Sequence, residues 1–169
     1  MLESGLSKEN YFTFQLGTGI FAIPVTSVKE VINYDTITPV PKALPYLKGV
    51  INIRGSVITV ADLRVLFNFA AVRPIEKNNI IVTEIAQPGE PPMVLGILAD
   101  TVDVVSKLQL VPAENIDYGA LPNRKDFIAG VAKKDSTFVL ILDLEKILAS
   151  IKEEMEAVRT APVKLPGEQ

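Results

Sequence analysis

Apolar and polar residues alternate from Tyr11 to Leu16. Phe12, Phe14 and Leu16 fall on one side, and Tyr11, Thr13 and Gln15 on the other, the period of a half-buried strand. Gly17-Thr18-Gly19 turns the chain and Ile20 to Ile23 returns as a second strand. Pro24 suits a first helical position, since a helix leaves that N–H without a partner anyway. Val25, Val28 and Ile32 follow at helical spacing with Val31 beside them, which predicts a short helix ending at Asn33-Tyr34-Asp35. Pro39, Pro41 and Pro45 make residues 36–47 an ordered loop or edge segment, because proline cannot donate to a ladder.

Gly49 to Ile53 and Val57 to Ala61 read as strands joined at Arg54-Gly55, where glycine tolerates the positive φ of a tight reversal. Asp62 caps a short helix, its carboxylate accepting from free N–H groups at the helix start. After a polar connection from Arg73 to Asn79, Asn79 to Ala86 forms a strand, Gln87 to Pro92 a hairpin loop, and Met93 to Ala99 the return strand. A last helix starts at Asp143, with Leu144, Ile147, Leu148, Ile151, Met155 and Val158 on one stripe. Residues 160–169, with two prolines and a glycine, read as a frayed tail.

The strand, turn, strand and capped helix occur twice. An offset of 81 lays Phe127–Leu148 over Tyr46–Phe67, so that Gly130 matches Gly49 and Asp143-Leu144 matches Asp62-Leu63. Val57 and Phe138, Ile58 and Val139, Val60 and Ile141 also fall together. An offset of 74 lays Leu95-Gly96-Ile97 over Phe21-Ala22-Ile23, and Val102 and Val105 over Val28 and Val31. Each half therefore reads hairpin, short crossover, hairpin, capped helix. The division is a tail at 1–9, a domain at 10–150 with halves at about 10–72 and 79–150, and a final segment at 151–169. Short strands with tight turns close into small barrels to avoid free edges. Two similar halves predict two barrels packed together, with a groove between them.

Composition narrows the chemistry. The chain of 169 residues is 48% hydrophobic, has a net charge of −3, and contains no His, Cys or Trp. No basic stripe is present to displace counterions, which argues against nucleic acid. The lack of His and Cys excludes His-based triads, a phosphorylatable histidine on this chain, imidazole metal sites and a disulfide framework. No apolar run is long enough to span a membrane and MLESGLSKEN lacks a signal-peptide order, so a cytosolic location is expected.

Gly17 to Ala22 fits the dinucleotide pattern G-x-G-x-x-A, but the following residues alternate as a strand where that fingerprint needs a helix, so a hairpin turn is the better reading. Asp62 and Asp143 are helix caps, and Asp100 reads as a cap of the segment after it, with Asp103 nearby. These acids do not cluster, so an enzyme is not expected, and no metal or other cofactor is implied. The proline segment is equally a partner surface or a cover for a barrel edge. Asn52-Ile53-Arg54-Gly55 is the sharpest local signal, because the repeat keeps its strands but replaces this turn with Lys133-Lys134-Asp135-Ser136. An arginine at such a turn holds a carboxylate with forked donors, and Glu30 on the preceding short helix is a candidate internal partner.

Leu47 to Gly55 (LKGVINIRG), followed by a strand and Asp62-Leu63-Arg64, resembles the CheW family of chemotaxis coupling proteins. So do Val28 to Ile32 (VKEVI), Ile97 to Val102 (ILADTV) and Ile141 to Leu144 (ILDL), and the resemblance runs from about Asn10 to Ser150. It implies a mainly β fold of two SH3-like five-stranded barrels in tandem with a few short helices. It also implies a non-catalytic adaptor, cytoplasmic at receptor arrays and membrane-associated only through receptors. Such an adaptor joins the cytoplasmic tip of a chemoreceptor to the regulatory domain of a CheA-type histidine kinase. Carried over by motif, Val28, Glu30, Asn52, Arg54, Gly55, Val57 and Val102 belong to the receptor groove, and Ile37, Thr38 and Lys48 to the kinase contact. Two readings compete: a double barrel binding a small molecule or acting as an enzyme through Asp100, Asp103 and lysines, and a structural homodimer.

Overall fold

From Tyr11 to Leu16, strand β1 (Lys8–Leu16) is buried on both faces, not one. Phe12, Phe14 and Leu16 enter a large cluster shared with the rest of the molecule, while Tyr11 packs with Ala22, Leu108, Ala132, Val139 and Ile141. Both faces are covered because β1 belongs to a closed barrel whose outer side packs on a second sheet. The computed structural model describes residues 8–68, 70, 74–111 and 125–160.

The other elements are β2 (Gly19–Pro24), β3 (Val28–Asn33), β4 (Leu47–Ile53), β5 (Ser56–Ala61), α1 (Leu63–Phe67), β6 (Asn79–Gln87) and β7 (Glu90–Ala99). They continue with β8 (Thr101–Leu110), β9 (Ile128–Lys134), β10 (Thr137–Leu142) and α2 (Leu144–Thr160). The closed barrel runs β1-β2-β10-β9-β8, and the second sheet β3-β6-β7-β5-β4.

The helix expected over Val25 to Ile32 is not formed. Only Val25–Ser27 makes a 3-10 turn, and β3 follows it, with Val31 opposite Ile81 and Ile32 opposite Ile80 of β6. Val28 and Ile32 are four residues apart, a spacing that shares one face of a strand as well as of a helix, and the β-branched run takes the strand. Glu30 is therefore a strand residue. The crossover expected around Val102 and Val105 is likewise part of β8.

The repeat survives in the register. Thr59 of β5 lies beside Leu95 of β7, and their images Leu140 of β10 and Phe21 of β2 pair in the same parallel way. Yet the sequence halves do not each make a barrel of their own, contrary to the expectation from their similarity. The closed barrel joins β1 and β2 of the first half to β8, β9 and β10 of the second, and the other sheet joins β3, β4 and β5 to β6 and β7. Parallel neighbours need a long crossover, so β5 and β10 each take a parallel partner from the other half.

Strand length decides which sheet closes. β8 reaches Leu110 and pairs with β9 at Gln109–Lys133 and Leu110–Ala132, after which Val111 N–H donates to Val131 O at 2.8 Å. β3 stops at Asn33 and has no ladder with β4. At the place equivalent to Val111, Thr38 exchanges two hydrogen bonds of 2.9 Å with Val50, the repeat image of Val131. The proline segment thus covers the β4 edge. Gly49 permits this approach: its φ is +143°, and a Cβ there would sit 2.1 Å from the Thr38 carbonyl oxygen.

Between the sheets lies the main core, with Phe14, Phe21, Phe67 and Phe127 in a run of ring contacts at 5.9–6.4 Å. Leu144, Ile147, Leu148 and Ile151 add the inner face of α2. Further along α2, Met155 is exposed, and Glu154 Oε1 accepts from the Tyr46 hydroxyl at 2.6 Å.

Asp100 is not a cap but part of a buried charge cluster. Arg64 donates through Nε and Nη2 to Asp62, through Nη1 to Asp100 at 2.9 Å, and through Nη2 to Asn78 at 2.8 Å. Asp100 Oδ2 accepts from Gly17 N–H at 2.6 Å, and Asp100 N–H donates to Gln15 O at 2.9 Å. The cluster ties α1 and the start of β6 to the first hairpin of the closed barrel. Burial lowers the pKa of Arg64, but the hydrogen bonds and charges of Asp62 and Asp100 outweigh it, and the pKa is raised.

Candidate interaction site

The β4–β5 reversal has two residues, with Ile53 opposite Ser56. Arg54 and Gly55 have φ of 49° and 88°, positive at both central positions, as a tight hairpin with right-twisted strands requires. Asn52 Oδ1 accepts from Gly55 N–H at 3.0 Å and holds the turn from within. The local chemistry that keeps the turn also aims Arg54 away from its own strands.

Arg54 reaches across the unpaired seam to Glu30 of β3. Nη1 lies 3.4 Å from Glu30 Oε1, and Nη2 pairs closely with Oε2. A forked ion pair thus spans the seam where backbone pairing between β3 and β4 is missing. The Arg54 side chain is 75% exposed and that of Glu30 28%, so the pair orients the guanidinium and adds little stability. The hydrogen bond to Glu30, then its charge, raises the Arg54 pKa.

Beneath the pair is an open cleft of about 720 Å³ lined by residues of β3, β4, β5, β6 and β7. Ile53, Ile58, Val82 and Val94 belong to the inner cluster of the second sheet, so the cleft opens onto that sheet's interior. Val57, 69% exposed, lines the cleft together with Pro91 and Pro92 of β7.

Glu30, Asn52, Arg54, Gly55 and Val57 are therefore brought together around one hairpin, with Glu30, Arg54 and Val57 on the cleft. Val28 and Val102 are not with them: both pack, partly buried, against the core between the sheets. Ile37 is half-buried against the inner cluster of the second sheet, Thr38 is bound to Val50, and Lys48 is half-buried on β4 beside Gly49.

No local pattern in the sequence marks the Arg64–Asp100 contact. The spacing of Asp62 and Arg64 hints at a local pair, but nothing in the sequence joins them to Asp100. Pro91, Pro92 and Val94 carry no sequence signal for the cleft, because these residues come from the other half. Phe138, the repeat image of Val57, is 60% exposed on the closed barrel. Beside its hairpin, Lys134 Nζ reaches Asp103 Oδ2 at 3.0 Å, a second exposed ion pair linking a hairpin to a neighbouring strand.

Asp62 and Asp143 are caps as expected, accepting from Arg64 N–H at 3.0 Å and Lys146 N–H at 3.1 Å. Among the described residues, no three Asp or Glu side chains converge on a possible metal position, and no helix is long and apolar enough to cross a membrane.

Residues 10–152 match the family model of the CheW-like domain. Chemotaxis protein CheW of Klebsiella aerogenes is 30% identical over 153 residues, 89% of this chain and 86% of that protein. Chemotaxis protein CheW of Thermotoga maritima is 26% identical over 150 residues, 89% of this chain and 94% of that protein. The crystal structure of scaffolding protein TtCheW from Thermoanaerobacter tengcongensis superposes with a TM-score of 0.65 at 26% identity, covering 82% of this chain and 91% of that one. With the family model spanning nearly the whole described fold, this chain belongs to the CheW-like domain family.

Proposed function

We propose that this chain is a chemotaxis adaptor that couples the cytoplasmic tip of a chemoreceptor to the regulatory domain of a CheA-type histidine kinase, without chemistry of its own. The observation that carries this reading is the Arg54–Glu30 pair, held at the rim of an apolar-floored cleft by a turn whose repeat image lacks the same residues. An amphipathic receptor helix fits such a site, with apolar contact in the cleft and polar anchoring at the rim. Glu30, Asn52, Arg54, Gly55 and Val57 form the receptor-facing rim, and Val28 and Val102 support it from the core between the sheets.

The kinase contact is assigned to the covered β4 edge at Ile37, Thr38 and Lys48. Residues 10–150 form the adaptor domain. The protein works in the cytoplasm at receptor arrays and reaches the membrane only through receptors.

The test is a titration with the regulatory domain of the chemotaxis-type kinase from the same genome, with and without a receptor-tip fragment. Saturable kinase binding, together with receptor binding weakened by Arg54→Ala at an unchanged melting temperature, is the expected result. Failure to bind either partner would sink the reading.

A further inference from the structure

The buried stripe of α2 runs out at Ile151. Leu144, Ile147, Leu148 and Ile151 bury the inner half of the helix, but Met155, the next position on that stripe, is exposed. A short helix without a buried face is marginal in water, so the turns beyond Ile151 depend on side-chain contacts. Two such contacts leave the helix in opposite directions. Lys152 and Glu154 are two residues apart, about 200° around the helix axis.

On one side, Lys152 Nζ donates to Gln87 Oε1 at 2.5 Å and to Glu90 Oε1 and Oε2 at 3.2 and 3.1 Å. Gln87 and Glu90 face each other at the tip of the β6–β7 hairpin, which Pro88-Gly89 closes. Gln87 Nε2 donates in turn to Pro91 O at 2.7 Å, so the clamp continues into the prolines on the cleft. On the other side, Glu154 accepts from the hydroxyl of Tyr46, the residue before β4 at the end of the proline segment. Met155 lines a cavity of about 230 Å³ with Val40, Leu44 and Leu47 of the same segment.

Neither attachment is strong. Both ends of the Lys152–Glu90 pair face solvent, where an ion pair contributes little, and one hydroxyl hydrogen bond has a modest net worth. Both contacts hold the same docked position of the outer half. Docked and frayed positions therefore lie close in free energy, as for other locally opening units. Contacts that stabilise one state of a shared element are coupled. Loss at one wall raises the population in which the other contact is also open, and the effect is reciprocal.

We infer that the outer half of α2 is a strut that couples the tip of the β6–β7 hairpin to the proline segment. Its use in signalling rests on the adaptor reading, since the hairpin brings Pro91 and Pro92 to the cleft and the proline segment carries Ile37 and Thr38. The coupling itself needs no partner to be measured.

The experiment follows amide exchange in the full chain alone, for the wild type, Lys152→Met, Lys152→Arg and Tyr46→Phe. Lys152→Met should speed exchange about fivefold at Met155 and, across the helix, at Leu47, whose N–H donates to Leu44 O at 2.9 Å. Tyr46→Phe should speed exchange by a similar factor at Glu90 on the opposite wall. Lys152→Arg keeps the cation and should restore most of the protection at Leu47. Unchanged exchange at Leu47 in Lys152→Met would separate the two walls and overturn the strut. Equal acceleration at Ile147, in the buried half of α2, would make the change global and overturn it as well. Either result leaves the adaptor reading standing. Coupling found in a chain that binds neither kinase nor receptor fragment would uphold the strut and overturn only its use in signalling.

Discussion

Arg64 and Asp100 meet at 2.9 Å between Nη1 and Oδ1, with both side chains almost completely withdrawn from solvent. One lies on α1, and the other in the turn entering β8 of the closed barrel. Removing one partner leaves the other charge buried and uncompensated. Asp100→Ala or Arg64→Ala should therefore cost about 3–5 kcal/mol, read as a lower urea midpoint. The raised Arg64 pKa gives the pH dependence. Its charged form is retained below its ordinary pKa and lost only as pH rises through the higher folded value, so this contribution should stay constant through neutrality and fade only in strong alkali. A midpoint shift between pH 6 and 8 that disappears in Arg64→Met would contradict this assignment.

Gly49 should accept no side chain. A Cβ would overlap the Thr38 carbonyl, and φ of +143° is strained for any L residue. Gly49→Ala should cost on the order of 2 kcal/mol or more. The loss should centre on the Thr38–Val50 bridge, seen as faster amide exchange at both residues. Unchanged exchange there would mean that the loop does not depend on this approach.

Turn residues at the candidate site should separate stability from recognition. Asn52→Ala removes the acceptor for Gly55 N–H and should cost about 0.5–1 kcal/mol. Gly55→Ala meets no neighbour but adopts φ of +88°, so its cost of about 1 kcal/mol comes from backbone strain alone. Gly55→Asn should recover part of it, because asparagine tolerates positive φ. Denaturant midpoints of the three variants decide this.

Tyr46→Phe tests the outer half of α2. The Tyr46 hydroxyl donates to Glu154 at 2.6 Å, so its loss should cost about 1 kcal/mol and speed amide exchange near Glu154 while leaving exchange around Ile147 slow. Uniform acceleration along the helix would instead mean that α2 detaches as one body.

The hairpins, the Asp62 and Asp143 caps, the repeat and the Arg54-Gly55 turn were determined by the sequence itself, because each depends on residues close in the chain. A two-residue reversal needs positive φ, and a cap needs an oxygen beside free N–H groups. The Arg54–Glu30 pair was legible as chemistry although the element carrying Glu30 was not. Val28 and Ile32 at four residues apart fit two periodicities, and only the neighbouring β6 makes the strand. Tertiary structure alone decided how the halves interleave, since a parallel partner must come from a distant segment. It decided which sheet closes, through the lengths of β3 and β8. It also brought Asp100 to Arg64 and placed Pro91, Pro92 and Val94 on the cleft, for contacts between distant segments depend on how the sheets pack and leave no local period in the chain.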